Sequence, residues 1–201
     1  MMLHSLSDRI SYIPATTQPL SADIGIVHGD SFDWIFDVGS TAAIANAIQE
    51  FDKEKKIVLS HFHKDHIGNI EHIDYCDMYC GDYTYLKLHK GTEIRSPISC
   101  EDGVRLTIFP IPSAHAKGML GLEVDEKYAF LGDAVYGAQK KGRTAYNVNM
   151  LQETIKTLES LKARRFLVSH DAAFVRDKEQ VISELKGLYS QRIPGEAFLF
   201  L

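Results

Sequence analysis

The stretch Ser60-His61-Phe62-His63-Lys64-Asp65-His66-Ile67-Gly68-Asn69 places four metal-ligand side chains within six positions, directly after the apolar run Ile57-Val58-Leu59. That run reads as a strand buried on both faces. In an extended segment beyond it, His61 and His63 project to the same side, because side chains alternate with period two. Two imidazoles can then grip one ion. Asp65 and His66 follow where Gly68 lets the chain turn, so they can aim at a neighbouring point. The alternative is a loop of solvated polar residues. A chain of this composition would produce the pattern by chance roughly once in a thousand cases, and chance must also put it at a strand end.

Outward from this segment the chain alternates strands and helices. Arg9 to Ile13 is short and β-prone. Asp23 to His28 precedes the turn Gly29-Asp30-Ser31, and Trp34-Ile35-Phe36 resumes the apolar pattern as the second arm of a hairpin. Thr41 to Phe51 carries Ala and Ile at helical spacing, with Ser40 or Thr41 as cap. Met78 to Leu88 reads as a strand and a short helix. Arg105 to Phe109 reads as a strand ended by Pro110 and Pro112. Leu120 to Val124 and Tyr128 to Leu131 pair around Asp125-Glu126-Lys127. Asn149 to Leu161 and Asp177 to Tyr189 are amphipathic helices on either side of a strand at Arg165 to Ser169. No linker, repeat or low-complexity tract interrupts the pattern. One α/β domain over residues 1–201 is expected, with two sheets covered by helices on their outer faces.

Composition narrows the function classes. With 45% hydrophobic and 24% charged residues, the 201-residue chain matches an ordinary soluble domain and needs no disulfide or structural metal to fold. Lys and Arg number 22 against 27 Asp and Glu, a net charge of −5, which argues against nucleic acid or an anionic membrane as partner. No run approaches the ~18 apolar residues of a spanning helix. Met1 to Ile13 contains Asp8 and Arg9 and lacks an apolar core, so no signal peptide is expected. The odd set Cys76, Cys80 and Cys100 points to a reducing cytoplasm. Cys76 and Cys80 have no second thiolate pair to complete a zinc knuckle and read as core or surface thiols. His4, His28, His72 and His89 read as surface or packing residues, with His28 near enough to a hairpin tip to line a cleft. A small-molecule enzyme is the expectation, its oligomeric state left open.

His-X-His-X-Asp-His over His61 to His66 resembles the signature of the metallo-β-lactamase superfamily of metal-dependent hydrolases. Other elements follow in family order. Phe36-Asp37-Val38-Gly39 is similar to the early Asp-X-Gly element. Ser113-Ala114-His115 is similar to the loop bearing the third histidine, Gly132-Asp133 to the metal-bridging element, and Val168-Ser169-His170 to the final strand-end histidine. The resemblance covers nearly the whole chain and implies a four-layer αββα sandwich. It also implies that His61, His63 and His115 bind one ion, that Asp65, His66 and His170 bind a second, and that Asp133 bridges them. Asp37 would support the ligands from behind, as carboxylates commonly do for metal-bound imidazoles. Asp65 would orient the attacking water and take its proton. The nitrogen and oxygen donors suit two Zn²⁺, and Fe or Mn could occupy the same set.

Substrate is less legible. Lys140-Lys141-Gly142-Arg143-Thr144 reads as a basic loop after Asp133, and Gly142-Arg143-Thr144 resembles the Gly-Arg-Thr of short glyoxalase II-like thioesterases and of persulfide dioxygenases. Ala145-Tyr146 and Asp171 depart from the residues usual there. The helical domain that binds glutathione in full-length glyoxalase II is not expected, because the sequence ends at Leu201, soon after His170. Hydrolysis of a small ester, thioester or amide is the leading expectation, with Arg143 a candidate for binding an anionic substrate. The alternative is a mononuclear iron thiol (persulfide) dioxygenase using His61, His115 and Asp133. A metal-binding module without catalysis comes third. A β-lactamase proper is disfavoured because those enzymes use other ligands in place of Asp133, and tRNA processing because no basic arm is present.

Overall fold

The apolar alternation of the first half builds seven strands that pair into one sheet in the computed structural model, which describes residues 3–201. Met1 and Met2, at the head of the stretch read for a signal peptide, lie outside the described residues. In chain order this half contains β1 (His4–Ser5), β2 (Ile10–Ile13), a small ribbon of β3 (Thr16–Thr17) and β4 (Leu20–Ser21), β5 (Ile24–His28), β6 (Phe32–Phe36), α1 (Ala42–Gln49), β7 (Glu54–Val58), α2 (Lys64–Ile67), β8 (Asp77–Cys80), α3 (Asp82–Leu88) and β9 (Thr92–Glu93). The sheet runs β1-β2-β5-β6-β7-β8-β9. Its pairs are antiparallel as far as β6 and parallel from there to β9.

The second half contains β10 (Ile98–Glu101), β11 (Arg105–Ile111), β12 (Met119–Val124), β13 (Tyr128–Gly132), β14 (Ala138–Lys140), β15 (Arg143–Asn147), α4 (Val148–Ser160), β16 (Arg165–Val168), β17 (Val175–Asp177), α5 (Lys178–Ser190) and β18 (Phe198–Phe200). A second sheet runs β10-β11-β12-β13-β16-β17, with β13 and β16 parallel. Three helices begin at residues whose side chains accept backbone hydrogen bonds at the N-terminus: Thr41 for α1, Asn147 for α4 and Asp177 for α5.

Strand alternation sorts the side chains into layers. Val27, Trp34, Phe36 and Val58 of the first sheet pack against Leu106, Ile108, Leu120, Leu122, Phe130 and Leu167 of the second. Ile24, Ile26, Ile35 and Ile57 point the other way, onto Ile44, Ala45 and Ile48 of α1. Ala129, Leu131, Phe166 and Val168 cover Leu151, Ile155 and Leu158 of α4 and Val181, Ile182 and Leu185 of α5. Two sheets face each other, each with helices on its outer side. This is an αββα sandwich. Among the described residues, no helix is long and apolar enough to cross a membrane.

Two expectations about the backbone need correction. Pro110 does not end its strand: β11 continues to Ile111, with Pro110 opposite Leu120. The neighbouring β10 pairs only as far as Ile108, so at Pro110 the strand has a partner on one side and the missing N–H removes no ladder bond. The basic segment after Asp133 is not an open loop. β14 and β15 form a hairpin around Lys141 and Gly142, both at positive φ, and β18 adds a third strand.

The far end of the sandwich is tied by one carboxylate. Asp102, in the turn between β10 and β11, accepts hydrogen bonds from Ser31 N at 2.7 Å, Phe32 N at 3.1 Å and Trp34 Nε1 at 3.0 Å. Burial pushes its pKa up, but the bonds from Ser31, Trp34 and Phe32 outweigh burial and hold it below the usual carboxylate value. A depressed pKa contributes stability above the unfolded value and loses it as pH falls through the folded one. Asp102→Ala is expected to cost about 3 kcal/mol at neutral pH, with the deficit shrinking under acid. Urea unfolding of both proteins at pH 7 and pH 3 measures it, and equal stability at pH 7 would remove this role.

Candidate metal centre

Strand direction brings the candidate residues to one edge. Asp37 follows β6, Ser60 to His66 follow β7, His115 follows β11, Asp133 follows β13 and His170 follows β16. Asp37 sits at φ 64° and His170 at φ 60°, left-handed positions that turn the chain sharply at the strand ends. Gly132 is at φ 54°, and a Cβ there would lie 2.8 Å from the Ser60 side chain. Glycine therefore lets the end of β13 close against Ser60. Just past the His-X-His step, the short helix α2 is capped by His63 and carries His66 inward, fully buried.

The seven side chains expected at the site converge. His61 Nε2 lies 2.8 Å from His63 Nδ1, which lies 3.1 Å from His115 Nε2. His170 Nε2 is 3.1 Å from Asp65 Oδ2, and His66 Nε2 is 3.6 Å from the same oxygen. Asp133 stands between these groups, with Oδ1 3.4 Å from His66 Nε2 and Oδ2 3.3 Å from His115 Nε2. Three sets could each hold an ion: His61, His63 and His115; Asp65, His66 and His170; and His61, His66 and Asp133.

The opposite ring nitrogens are held from behind. His66 Nδ1 donates to Asp37 Oδ2 at 2.7 Å, leaving Nε2 to face the cluster. Ser60 Oγ lies 2.9 Å from His61 Nδ1 and donates to the same Asp37 oxygen at 2.7 Å. Ser60 N donates to Asp37 Oδ1 at 2.7 Å. Asp37 thus orients two ligand candidates through one buried carboxylate. Ser60 was not singled out from the sequence. Nor was Asp23, which accepts from His170 N at 2.9 Å and Ala15 N at 3.0 Å, and from Ser169 Oγ at 3.3 Å. Ser113 Oγ likewise accepts from His115 N at 3.1 Å.

Charge in the cluster suits cations. Burial lowers the pKa values of His61, His63 and His115, so these imidazoles are neutral near pH 7 with lone pairs available. Burial also works against a charge on His66, yet Asp37 and Asp133 outweigh it and raise this residue to about 10. The hydrogen bond to Asp65 raises His170. Burial pushes Asp65 up, but His170 and His66 hold it down at about 2. His66 Nε2 and Asp133 Oδ1 are buried with no hydrogen-bond partner. These two buried atoms lie 3.4 Å apart without a hydrogen bond; a divalent cation would satisfy both, and the nitrogen and oxygen donor set fits one.

A cation taking His66 Nε2 must displace its proton. Zn²⁺ binding is therefore expected to release protons at pH 7 and to weaken as pH falls. Calorimetry in buffers of different ionisation enthalpy reads this directly, and zero proton release would contradict it. Asp37→Asn keeps a side chain that tolerates left-handed backbone, and removes the charge and one of the two acceptor oxygens that hold Ser60 and His66. It should lower Zn²⁺ affinity roughly 10- to 100-fold in chelator competition. Unchanged affinity would separate Asp37 from the site.

The cluster forms the floor of two openings. One, of about 720 Å³, is walled by Tyr12, Pro14, Leu20 and Phe174. The other, of about 530 Å³, is walled by Tyr136, Gln139, Thr144 and Tyr146. Arg143 lines neither. Strand alternation on β15 turns Thr144 to the opening and Arg143 away, where its guanidinium lies 5.2 Å from the Phe200 ring centre. Gln139 and Thr144, rather than Arg143, line this opening. Cys76 is exposed and Cys80 buried, and neither joins a candidate metal set among the described residues. His28 bonds Ser11 Oγ at 2.9 Å and Asp33 at 2.8 Å and lines neither opening.

No protein-family model and no curated protein sequence matches the chain. Solved structures do. A B3 metallo-β-lactamase with an active-site glutamic acid superposes with TM-score 0.73 at 11% identity, covering 96% of this chain and 90% of that one. A metallo-β-lactamase from Pontibacter korlensis gives 0.72 at 15%, covering 95% and 99%. A mutant flavo di-iron protein from Thermotoga maritima gives 0.65 at 14%, covering 90% of this chain and 52% of that one. The paired sheets with their outer helices are arranged in this chain as the metallo-β-lactamase fold.

Proposed function

We propose that this chain is a metal-dependent hydrolase with a two-ion site, acting on a small ester, thioester or amide. His61, His63 and His115 would hold one ion, Asp65, His66 and His170 would hold the other, and Asp133 would serve both. The observation that carries this reading is the pair of orphaned buried atoms, His66 Nε2 and Asp133 Oδ1, placed where the donor sets meet. Bound divalent ions would supply an activated water and a Lewis acid at the cleft floor.

The chain's own residues supply orientation and proton handling. Asp37 and Ser60 fix which nitrogens of His66 and His61 face the cleft. Asp65, ionised at neutral pH and on the wall of the larger opening, is placed to orient the water and accept its proton. The apolar walls limit bulk water around a bound substrate. A mononuclear thiol dioxygenase built on His61, His115 and Asp133 would leave the convergence of Asp65, His66 and His170 without a purpose. That convergence favours the hydrolase.

Zinc suits the nitrogen and oxygen donors, and a neighbour described as a flavo di-iron protein supports iron as the competing occupant. Elemental analysis of the purified protein, followed by assay of the zinc- and iron-loaded forms on ester, thioester and amide panels, tests the proposal. Hydrolysis by a two-ion form is expected. Thiol-dependent oxygen uptake by a one-iron form, without hydrolysis, would overturn it.

A further inference from the structure

The larger opening differs in character from the cluster beneath it. Tyr12 and Phe174, stacked with ring centres 4.4 Å apart at 24°, form an aromatic part of its wall. Pro14, Ala15 and Ala172 extend that wall, and Leu20 of the β3–β4 ribbon faces it while 54% exposed. Among the described residues, no Lys or Arg lines either opening. The charged groups on this wall outside the metal cluster are Asp23 and Asp171. Asp23 is engaged by the backbone of Ala15 and His170. Asp171 is paired with Arg176 at 2.5 Å, whose other arm is taken by Glu184 at 2.7 Å. The basic residues flanking the hairpin tip are occupied elsewhere, Lys140 Nζ 3.3 Å from the Phe198 ring centre and Arg143 over Phe200, while Lys141 at the tip is exposed and lines neither opening.

A carboxylate remote from the scissile bond would find no cation on either wall: the larger opening offers the aromatic pair, the hydroxyls of Thr16 and Thr17 or the acids Asp23 and Asp171, and the other offers the neutral Gln139 and Thr144, in a chain of net charge −5. None of these neutralises a carboxylate that has left water. The metal-ligand candidates, and any charge that bound ions would supply, are confined to the cleft floor. We propose that the substrate is an ester or thioester whose acyl chain is uncharged and apolar, seated between the Tyr12–Phe174 stack and the β3–β4 ribbon. This rests on the hydrolase reading and names its substrate class. It reverses the expectation of an anionic substrate drawn from Arg143. A cleft of about 720 Å³ is of the size that takes small organic ligands.

The test uses the zinc-loaded protein with two matched sets of probes. Nitrophenyl acetate, butyrate and hexanoate are compared with the ω-carboxylated nitrophenyl esters of the same acyl lengths. Non-hydrolysable methyl ketones, with and without a terminal carboxylate, are titrated in parallel by protein NMR. Along the neutral series kcat/KM should rise about fourfold per added methylene until the cleft is filled. The carboxylated probes should be about tenfold poorer or worse in both turnover and binding. Leu20→Arg, at an exposed position, should narrow or reverse that preference by adding a cation to the wall. Equal or better handling of the carboxylated probes would overturn the substrate class while leaving the hydrolase standing. Preferential binding of the neutral ketone without hydrolysis of any ester would support the apolar cleft and sink the hydrolase. Indifference to chain length in both assays would overturn the inference as well.

Discussion

Exchange of Asp65 for asparagine is expected to lower kcat by about 100-fold or more while KM changes far less. The carboxylate lies on the cleft wall, is held ionised, and has Oδ2 3.1 Å from His170 Nε2. Asparagine keeps its size and leaves intact the backbone bond from Ala22 N to Asp65 O. It loses the capacity to accept a proton. Steady-state kinetics on zinc-loaded wild type and variant, with metal content measured on the same samples, separates this role from simple ligation. A variant that keeps both ions and near-normal kcat would show that Asp65 does not handle the proton.

The second large effect belongs to Asp133. Wild type saturated with Zn²⁺ is expected to hold two ions per chain, and Asp133→Ala one or fewer, with turnover falling to the buffer rate. The reason is geometric: one carboxylate faces His66 through Oδ1 and His115 through Oδ2, so its removal opens both donor sets. Elemental analysis after dialysis against buffered Zn²⁺ gives the count. A wild type that saturates firmly at one ion would refute the two-ion site, and an Asp133→Ala variant that retains two would refute the bridging position.

What could be read in advance divides along physical lines. His61, His63, Asp65 and His66 are close in sequence, so their spacing and a strand-end position already constrain where they point. The paired helices α4 and α5 and the β5–β6 hairpin were legible for the same reason: each is written in a local apolar period. Asp23 was not, because its partners Ser169 and His170 lie 146 and 147 residues away and nothing local marks an aspartate for that duty. The β14–β15 hairpin was hidden in a different way. Its strands are short and polar, and it is completed by Phe198–Phe200, some fifty residues beyond β15 in sequence. Arg143 was misread as a consequence, since strand pairing decides which of Arg143 and Thr144 turns to the cleft. Pro110 shows the same limit: whether a proline ends a strand depends on a neighbour strand that the local pattern does not reveal.

Strand β6 joins the Asp102 anchor to the Asp37 carboxylate. At its start, Phe32 N and Trp34 Nε1 are held by Asp102; just after its end, Asp37 carries His66 and Ser60. In extended chain the interval to Asp37 is about 16 Å from Phe32 and about 10 Å from Trp34, at or beyond the ~7–10 Å within which substitutions usually couple. Losses at the two ends should therefore simply add, and so should gains. The fold gives its durability and its chemistry separate addresses on the same strand. A drifting or engineered sequence can strengthen the Asp102 end to offset the instability that a new activity at the Asp37 end would bring, without either change having to anticipate the other.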